Sequence, residues 1–273
     1  MSSTTNQFTV TRIDSGYWRV LFANPPMNLI NPETIREFQA LVADIEGDKD
    51  LRVVVFESAD PDFFFSRYDL ARAAETPTEA GPSGLPVWID MTTRISQSHV
   101  VSIALIRGRT RGGGSELALA LDMRFASIER AVFGQPEVAA GVLPGGGAIE
   151  RLPLLTGRAR ALEIILGADD FDARTAQLYG WINRALPDAE LDAFVDQLAR
   201  RIASFDPAAL AEAKRLVNRR SLPASADLAE TQDVFLAATR SPSVRVRGRR
   251  NRERAIALGR EFELDLGRHL ADP

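Results

Sequence analysis

Two glutamates, Glu116 and Glu137, stand 21 positions apart, and each adjoins a glycine-rich bend. The first lies in Gly112-Gly113-Gly114-Ser115-Glu116, between an apolar run at 100–106 and the segment Leu117-Ala118-Leu119-Ala120-Leu121. That order predicts a buried strand running into three glycines and then a helix starting near Gly114. The second lies in Phe133-Gly134-Gln135-Pro136-Glu137, a loop after a strand predicted at 124–126, and is followed by Gly141-Val142-Leu143-Pro144-Gly145-Gly146-Gly147. Glycine lacks Cβ, so a ligand approaches its backbone closely and meets its N–H groups. A helix beginning at the same place adds the positive end of its dipole. Such a bend favours an oxygen that acquires negative charge, as in an enolate. Two carboxylates beside such donors are the equipment of general acid–base catalysis. Each feature alone also has a plainer use: the triplet as a tight strand-to-helix turn, a lone glutamate as a surface residue or helix cap.

Composition narrows the chemistry further. The chain has 273 residues, 45% of them hydrophobic and 26% charged, which is ordinary for a globular protein able to bury a sizeable core. A net charge of −4 argues against a general polyanion binder, so no nucleic-acid partner is expected. There is no cysteine, which excludes disulfides and thiolate catalysis. His99 and His269, the only histidines, have no metal-ligand spacing, and no metal is expected. Proton chemistry therefore falls to carboxylates. The polar start, 1–9, does not read as a signal peptide and no apolar run spans a bilayer, so a cytoplasmic location is expected. Arginines at 240, 245, 247, 249, 250, 252 and 254 crowd a short stretch opposed only by Glu253, which reads either as a solvated or subunit-contacting helix face or as an anion contact.

The elements that must position these residues follow from periodicity. Residues 8–13 and 17–23 read as a hairpin turning at Asp14-Ser15-Gly16. Asn31-Pro32 reads as an N-cap with proline in the first helical turn, and Ile35, Phe38, Leu41/Val42 and Ile45 mark one helix face. Val53-Val54-Val55-Phe56 is apolar at every position, as a strand covered on both faces requires. Residues 75–86 read as a mobile surface loop, Val87, Met91 and Ile95 as a helix face, and 100–106 as a second buried strand. Helices are predicted over 158–166, 172–179, 188–203, 207–218, 226–240 and 251–266. The class is α/β, an α/β body followed by a helical C-terminal region.

With these pieces in order, the chain resembles the crotonase (enoyl-CoA hydratase/isomerase) superfamily. The resemblance is carried by Asn24-Pro25-Pro26-Met27-Asn28, Phe64-Phe65-Ser66-Arg67-Tyr68-Asp69-Leu70, Gly112-Gly113-Gly114-Ser115-Glu116-Leu117-Ala118, Phe133-Gly134-Gln135-Pro136-Glu137 and Gly141-Val142-Leu143-Pro144-Gly145, and it covers roughly residues 8 to 260. It implies a ββα spiral core over residues 1–200 holding the acyl-CoA site, followed by a helical trimerisation region over 201–273. It implies a homotrimer or a dimer of trimers, acyl-CoA thioesters as ligands, and no cofactor beyond the coenzyme A of the substrate. It places an oxyanion hole at the amides of Tyr68 and Gly113, the two catalytic glutamates at Glu116 and Glu137, and a water-holding amide at Gly145. Ser66, Arg67, Asp69 and Leu70 fall in the segment that contacts coenzyme A. The implied activity is hydration of an α,β-unsaturated acyl-CoA through an enolate.

Two departures qualify this picture. Ser66-Arg67 replaces the family's alanine-glycine, leaving Arg67 either to reach a coenzyme A phosphate or to point to solvent. Glu150 stands where the hydratases usually carry glutamine, a third carboxylate expected to be structural. A double-bond isomerase working through Glu137 alone is the alternative activity, and a C–C hydrolase or lyase also draws on enolate stabilisation. A non-catalytic module binding an acyl-CoA, a partner protein or RNA is kept open by Arg67 and the arginine cluster, and opposed by the retained glutamate pair.

Overall fold

The computed structural model describes residues 6–77 and 79–271. Its strands in chain order are β1 (Phe8–Asp14), β2 (Tyr17–Phe22), β3 (Val53–Ser58), β4 (Val101–Ile106), β5 (Arg109–Arg111), β6 (Met123–Ser127), β7 (Val132–Gly134), β8 (Asp170–Asp172) and β9 (Arg184–Leu186). The first helices are α1 (Pro32–Gly47), α2 (Val87–Gln97), α3 (Gly113–Ala120), α4 (Ala148–Thr156), α5 (Arg158–Gly167) and α6 (Ala173–Tyr179). They are followed by α7 (Asp188–Ala203), α8 (Pro207–Ser221), α9 (Ser225–Thr239), α10 (Pro242–Leu258), α11 (Arg260–Leu264) and α12 (Leu266–Ala271).

The main sheet has the order β1-β2-β3-β4-β6-β9. β1 and β2 form the expected antiparallel hairpin, and from β2 onward every neighbour is parallel. Parallel strands need both faces covered, and β3 shows how the sequence meets that need. Val53 and Val55 join Tyr17, Ile103 and Phe125 against Leu191, Val195 and Ala199 of α7. Val54 and Phe56 face the opposite way, into a larger core with Ile35, Phe38 and Val42 of α1 and Met91 and Ile95 of α2. α1 is started by Asn31, whose side chain accepts the Thr34 amide at 2.8 Å while Thr34 Oγ1 accepts the Asn31 amide at 3.1 Å. A second sheet, β5-β7-β8, is small but decisive for the site, because β5 pairs parallel with β7.

Most helices lie within a few residues of their predicted bounds. The helix predicted over 251–266 is instead three pieces, broken at Gly259, whose φ of 58° and ψ of −131° do not continue a helix, and again at Asp265. α4 was not anticipated, because it contains Pro153, ordinarily a helix breaker. The three-residue strands β5, β7, β8 and β9 are too short to carry a period. A 3-10 turn at Leu70–Glu75 ends where the segment expected to be a mobile loop, 75–86, begins. Further on, Gly81 and Gly84 close a turn through Gly81 N–Leu85 O at 2.8 Å and Gly84 N–Gly81 O at 2.9 Å. Within that segment Thr78 lies outside the described residues. Among the described residues no helix is long and apolar enough to cross a membrane.

Candidate active site

The amide of Tyr68 is held in place by the Asn24–Ile30 segment. Asn28 is buried in a left-handed conformation (φ 48°), and its side-chain amide donates to Ser58 Oγ at 2.7 Å and to the carbonyl of Phe64 at 3.2 Å. Its own carbonyl accepts the Ser66 amide at 2.9 Å. Ile30 then bridges Tyr68 in parallel: Ile30 N donates to Arg67 O at 3.0 Å and Asp69 N to Ile30 O at 2.8 Å. Both peptides flanking Tyr68 are therefore pinned, while the Tyr68 N–H donates to no group among the described residues. Phe63, Phe64 and Phe65 are fully buried and anchor this bend, with Phe65 stacked on Phe22 at 4.2 Å.

The glycine triplet faces that amide. A Cβ placed on Gly113 would lie 3.8 Å from Tyr68 N and 3.5 Å from Ile30 Cδ1, so the Gly113 and Tyr68 amides border one space. A Cβ on Gly114 would overlap the carbonyl oxygens of Phe65 and Ser66. Gly112 has φ 49° and ψ −127°, and its N–H donates to Gly134 O at 3.0 Å. That bond extends the β5–β7 ladder and sets the start of α3 beside the loop carrying Glu137.

The two carboxylates have different surroundings. Glu116, in the first turn of α3, is buried, and its Oε1 accepts the amides of Gly146 at 2.6 Å and Ala148 at 3.3 Å. Burial pushes its pKa up to about 7, against those two donors and the cation of Arg151, which pull it down. Glu137 sits against the backbone of Gly112, with its Oε1 2.7 Å from where a Cβ would be, and its Oε2 is buried without a partner among the described residues. Burial and then the neighbouring Glu116 charge raise it well above the usual carboxylate range. Both acids are thus shifted toward the neutral form, but two backbone amides offset part of the shift at Glu116 and only its own amide does so at Glu137, so Glu116 is the one that ionises more readily. Beside a pair of free amides, this arrangement can stabilise an oxyanion and move protons at the adjoining atoms.

The structure brings together Tyr68, Gly113, Glu116 and Glu137, and places Gly145 next to Gly146 on the same rim. Gly145 also packs on Phe235 of α9, which a Cβ would hit. The Ser66 hydroxyl is buried without a partner among the described residues, Asp69 caps the following turn by accepting the Ala71 amide at 3.0 Å, and Leu70 is 51% exposed. Glu150 accepts the hydroxyl of Thr231 on α9 at its Oε1, while its Oε2 is buried without a partner among the described residues and its charge adds to the upward push on Glu116. His99 Nε2 lies 3.3 Å from the Asp48 carbonyl, and His269 stacks on Phe262.

Arg67 has a partner that sequence reasoning missed. Its Nε donates to Glu263 Oε2 at 3.2 Å, a second nitrogen to Glu263 Oε1, and Nη1 to the Tyr68 carbonyl at 3.0 Å. Glu263 stands 196 positions away on α11, whose carbonyls at Glu263 and Leu264 also accept from the buried Arg111 at 2.5 and 3.2 Å. No local signal links residues so far apart. The pair predicts an asymmetry. Arg67→Ala strands a carboxylate that is 2% exposed and should cost roughly 3 kcal/mol. Glu263→Gln leaves an arginine that is 20% exposed and free to turn to water, so it should cost less, and the double variant less than the sum. Urea denaturation of the three variants measures this; equal single costs that add would show the pair to be unimportant.

Residues 12–253 match the family model described as enoyl-CoA hydratase/isomerase. The chain is 31% identical over 193 residues to the short-chain-enoyl-CoA hydratase of Clostridium acetobutylicum, covering 71% of this chain and 74% of that protein. It is 32% identical over 205 residues to the crotonyl-CoA hydratase of Syntrophomonas wolfei, covering 73% and 77%. Among solved structures it is similar to a candidate enoyl-CoA hydratase from Streptomyces avermitilis, with a TM-score of 0.92 and 41% identity over 100% of this chain and 99% of that one.

Proposed function

We propose, for a chain that belongs to the enoyl-CoA hydratase/isomerase family and shares its crotonase fold, that Glu116 and Glu137 divide the proton transfers of a hydratase between them. The chain is an enzyme of the enoyl-CoA hydratase kind acting on acyl-CoA thioesters. The observation that carries the division of labour is the unequal setting of the two acids beside the paired amides of Tyr68 and Gly113.

In this mechanism the thioester oxygen of a 2-enoyl-CoA accepts from the Tyr68 and Gly113 amides. Water, held by the Gly145 amide and Glu116, adds to C3 and gives its proton to the Glu116 carboxylate. The C2–C3 electron pair moves into the thioester as an enolate, whose charge is met by donors already aimed at it, each worth ~3–4 kcal/mol in comparable sites. Neutral Glu137 then protonates C2. Exchange with solvent returns the proton from Glu116 to Glu137. The coenzyme A moiety runs over the Ser66–Leu70 bend, where the exposed Leu70 offers apolar contact and Arg67, already paired with Glu263, adds little free charge. Incubation with 2-enoyl-CoA should remove the conjugated thioester absorbance. If that absorbance persists and instead rises from 3-enoyl-CoA, the protein is an isomerase.

The pH dependence follows from the shared proton. Catalysis needs one acid neutral and one ionised, and coupled acids titrate as a pair. With Glu116 pushed up to about 7 and Glu137 raised further by its neighbour, the form with a single proton persists to neutral pH and beyond. We therefore expect kcat to fall on the alkaline side as that last proton leaves, and on the acid side as Glu116 also becomes protonated. A profile of kcat flat from pH 5 to 9 would contradict this division of roles.

Assembly as a homotrimer or a dimer of trimers, through a helical region at 201–273, is supported by apolar side chains exposed on α8, α9 and α10, among them Val217 at 63%, Val246 at 71% and Ile256 at 78%. Light scattering measures the mass directly. The lack of cysteine suits a reducing, cytoplasmic setting.

A further inference from the structure

We infer that the indole N–H of Trp88 is a substrate-contacting donor, bonded to the oxygen that joins C3 during hydration and leaves it in the reverse reaction. This inference rests on the hydratase reading above and adds a residue to it. Trp88 lies in the first turn of α2, and its ring is partly buried against the core. Its Nε1 is buried and has no partner among the described residues. A buried donor left unpaired is costly, and a native site that keeps one usually has a use for it.

The surroundings say what that use is. A Cβ on Gly146 would collide with both Trp88 Nε1 and Glu116 Oε2, so these two atoms converge on one spot. Glu116 Oε2 is the oxygen of that carboxylate which accepts none of the backbone amides, since both go to Oε1. The other end of the indole, Cη2, lies 3.9 Å from the Cβ position of Gly113, which is itself 3.8 Å from Tyr68 N. The ring therefore runs from the thioester-oxygen donors to the acid beside which water must sit. Its apolar body suits the carbons that lie between those two groups.

The donor is what the two acids do not offer to that oxygen as it approaches C3. While water is attacking, ionised Glu116 only accepts hydrogen bonds and the proton of neutral Glu137 is directed at C2, whereas the oxygen joining C3 still has lone pairs to satisfy. In the dehydration direction protonated Glu116 gives that oxygen a proton so that it leaves as water, and a fixed N–H pointing at it stabilises the negative charge it carries until the transfer is complete. By microscopic reversibility the same bond lowers the barrier to addition. A 2-enoyl-CoA has no oxygen on C3, so the bond forms with water or with the 3-hydroxyacyl product and contributes nothing to binding the unsaturated acyl chain itself.

The test uses the full-length protein carrying Trp88→Phe, and a second form in which Trp88 is replaced by 3-benzothienylalanine, whose sulfur substitutes for the N–H with little change in shape. Two readouts are taken: hydration of a 2-enoyl-CoA, and affinity for a 3-hydroxyacyl-CoA against the saturated acyl-CoA of equal chain length. Loss of one hydrogen bond predicts kcat lower by about tenfold, KM for the 2-enoyl-CoA changed by less than about twofold, and a selective loss of affinity for the 3-hydroxyacyl-CoA of about five- to tenfold. If both affinities fall equally, or the benzothienyl form keeps the wild-type kcat, the indole is only a packing surface and the inference is overturned. A wild-type protein that hydrates no 2-enoyl-CoA would overturn the hydratase reading itself, a failure distinct from a hydratase indifferent to Trp88.

Discussion

Glu137→Gln is expected to lower kcat for hydration by about 10²–10⁴-fold, because it removes the proton that C2 must receive while keeping the side chain's size. The KM should change little, since the Tyr68 and Gly113 amides that hold the thioester oxygen are untouched. The same substitution should stabilise the protein at alkaline pH. Glu137 is raised in the folded state by burial and by the charge of Glu116. A carboxyl with a raised folded pKa favours the folded state below its unfolded value of about 4.3 and loses that contribution as pH rises toward its folded value. At pH 8 the wild type carries this loss and the glutamine variant does not. The variant should therefore show a higher urea midpoint at pH 8 and an unchanged one at pH 4. Full activity in Glu137→Gln would remove Glu137 from proton transfer. A midpoint that fails to rise at pH 8 would mean that the carboxylate is better solvated than its surroundings indicate.

Gly114→Ala is expected to destroy the site and, with it, most of the folded yield, whereas Gly113→Ala should leave a folded protein. The two positions are adjacent, but their neighbours differ. At Gly114 a methyl group would occupy the space of the Phe65 and Ser66 carbonyl oxygens, both backbone atoms in the bend that presents Tyr68. That bend is itself tied to Asn28 and Ile30, so relief requires shifting several hydrogen bonds at once, at a cost above ~3 kcal/mol. At Gly113 the closest atoms lie at 3.5 to 3.9 Å, an ordinary contact. The expected defect in Gly113→Ala is in kcat, because the added methyl borders the space shared with Tyr68 N. Thermal unfolding and hydration rates of the two variants separate these cases. A Gly114→Ala protein with wild-type stability would show that the two bends are not held as closely as described.

Much of this was legible in the residues. The run Val53–Phe56 announced a strand covered on both faces, and the structure divides it between α7 and the larger core. Asn31-Pro32 marked the start of α1, and a capping box is there. The motifs around Glu116 and Glu137 were recognisable as a set, since each is local and its glycines have local reasons. What escaped was of two kinds. The helix at Ala148–Thr156 contains Pro153 and so argues against itself on propensity, and tertiary packing overrides that preference. The roles of Trp88, Gly146, Phe235 and Glu263 depend on neighbours far away in the chain, and nothing in their own segments signals them.

The sequence by itself determined the layering, the helix and strand periods and the presence of two acids beside glycine bends, because these rest on side-chain type and short-range spacing. Tertiary structure alone decided which acid is solvated and which is not. It did so by pairing β5 with β7, which sets Glu137 against Gly112, and by folding the Gly145–Ala148 turn onto Glu116 so that two amides reach one oxygen. It also gave Arg67 its partner on α11. Charge and proton affinity depend on distance and on exclusion of water, and neither exists along a chain until it is closed into contact with itself.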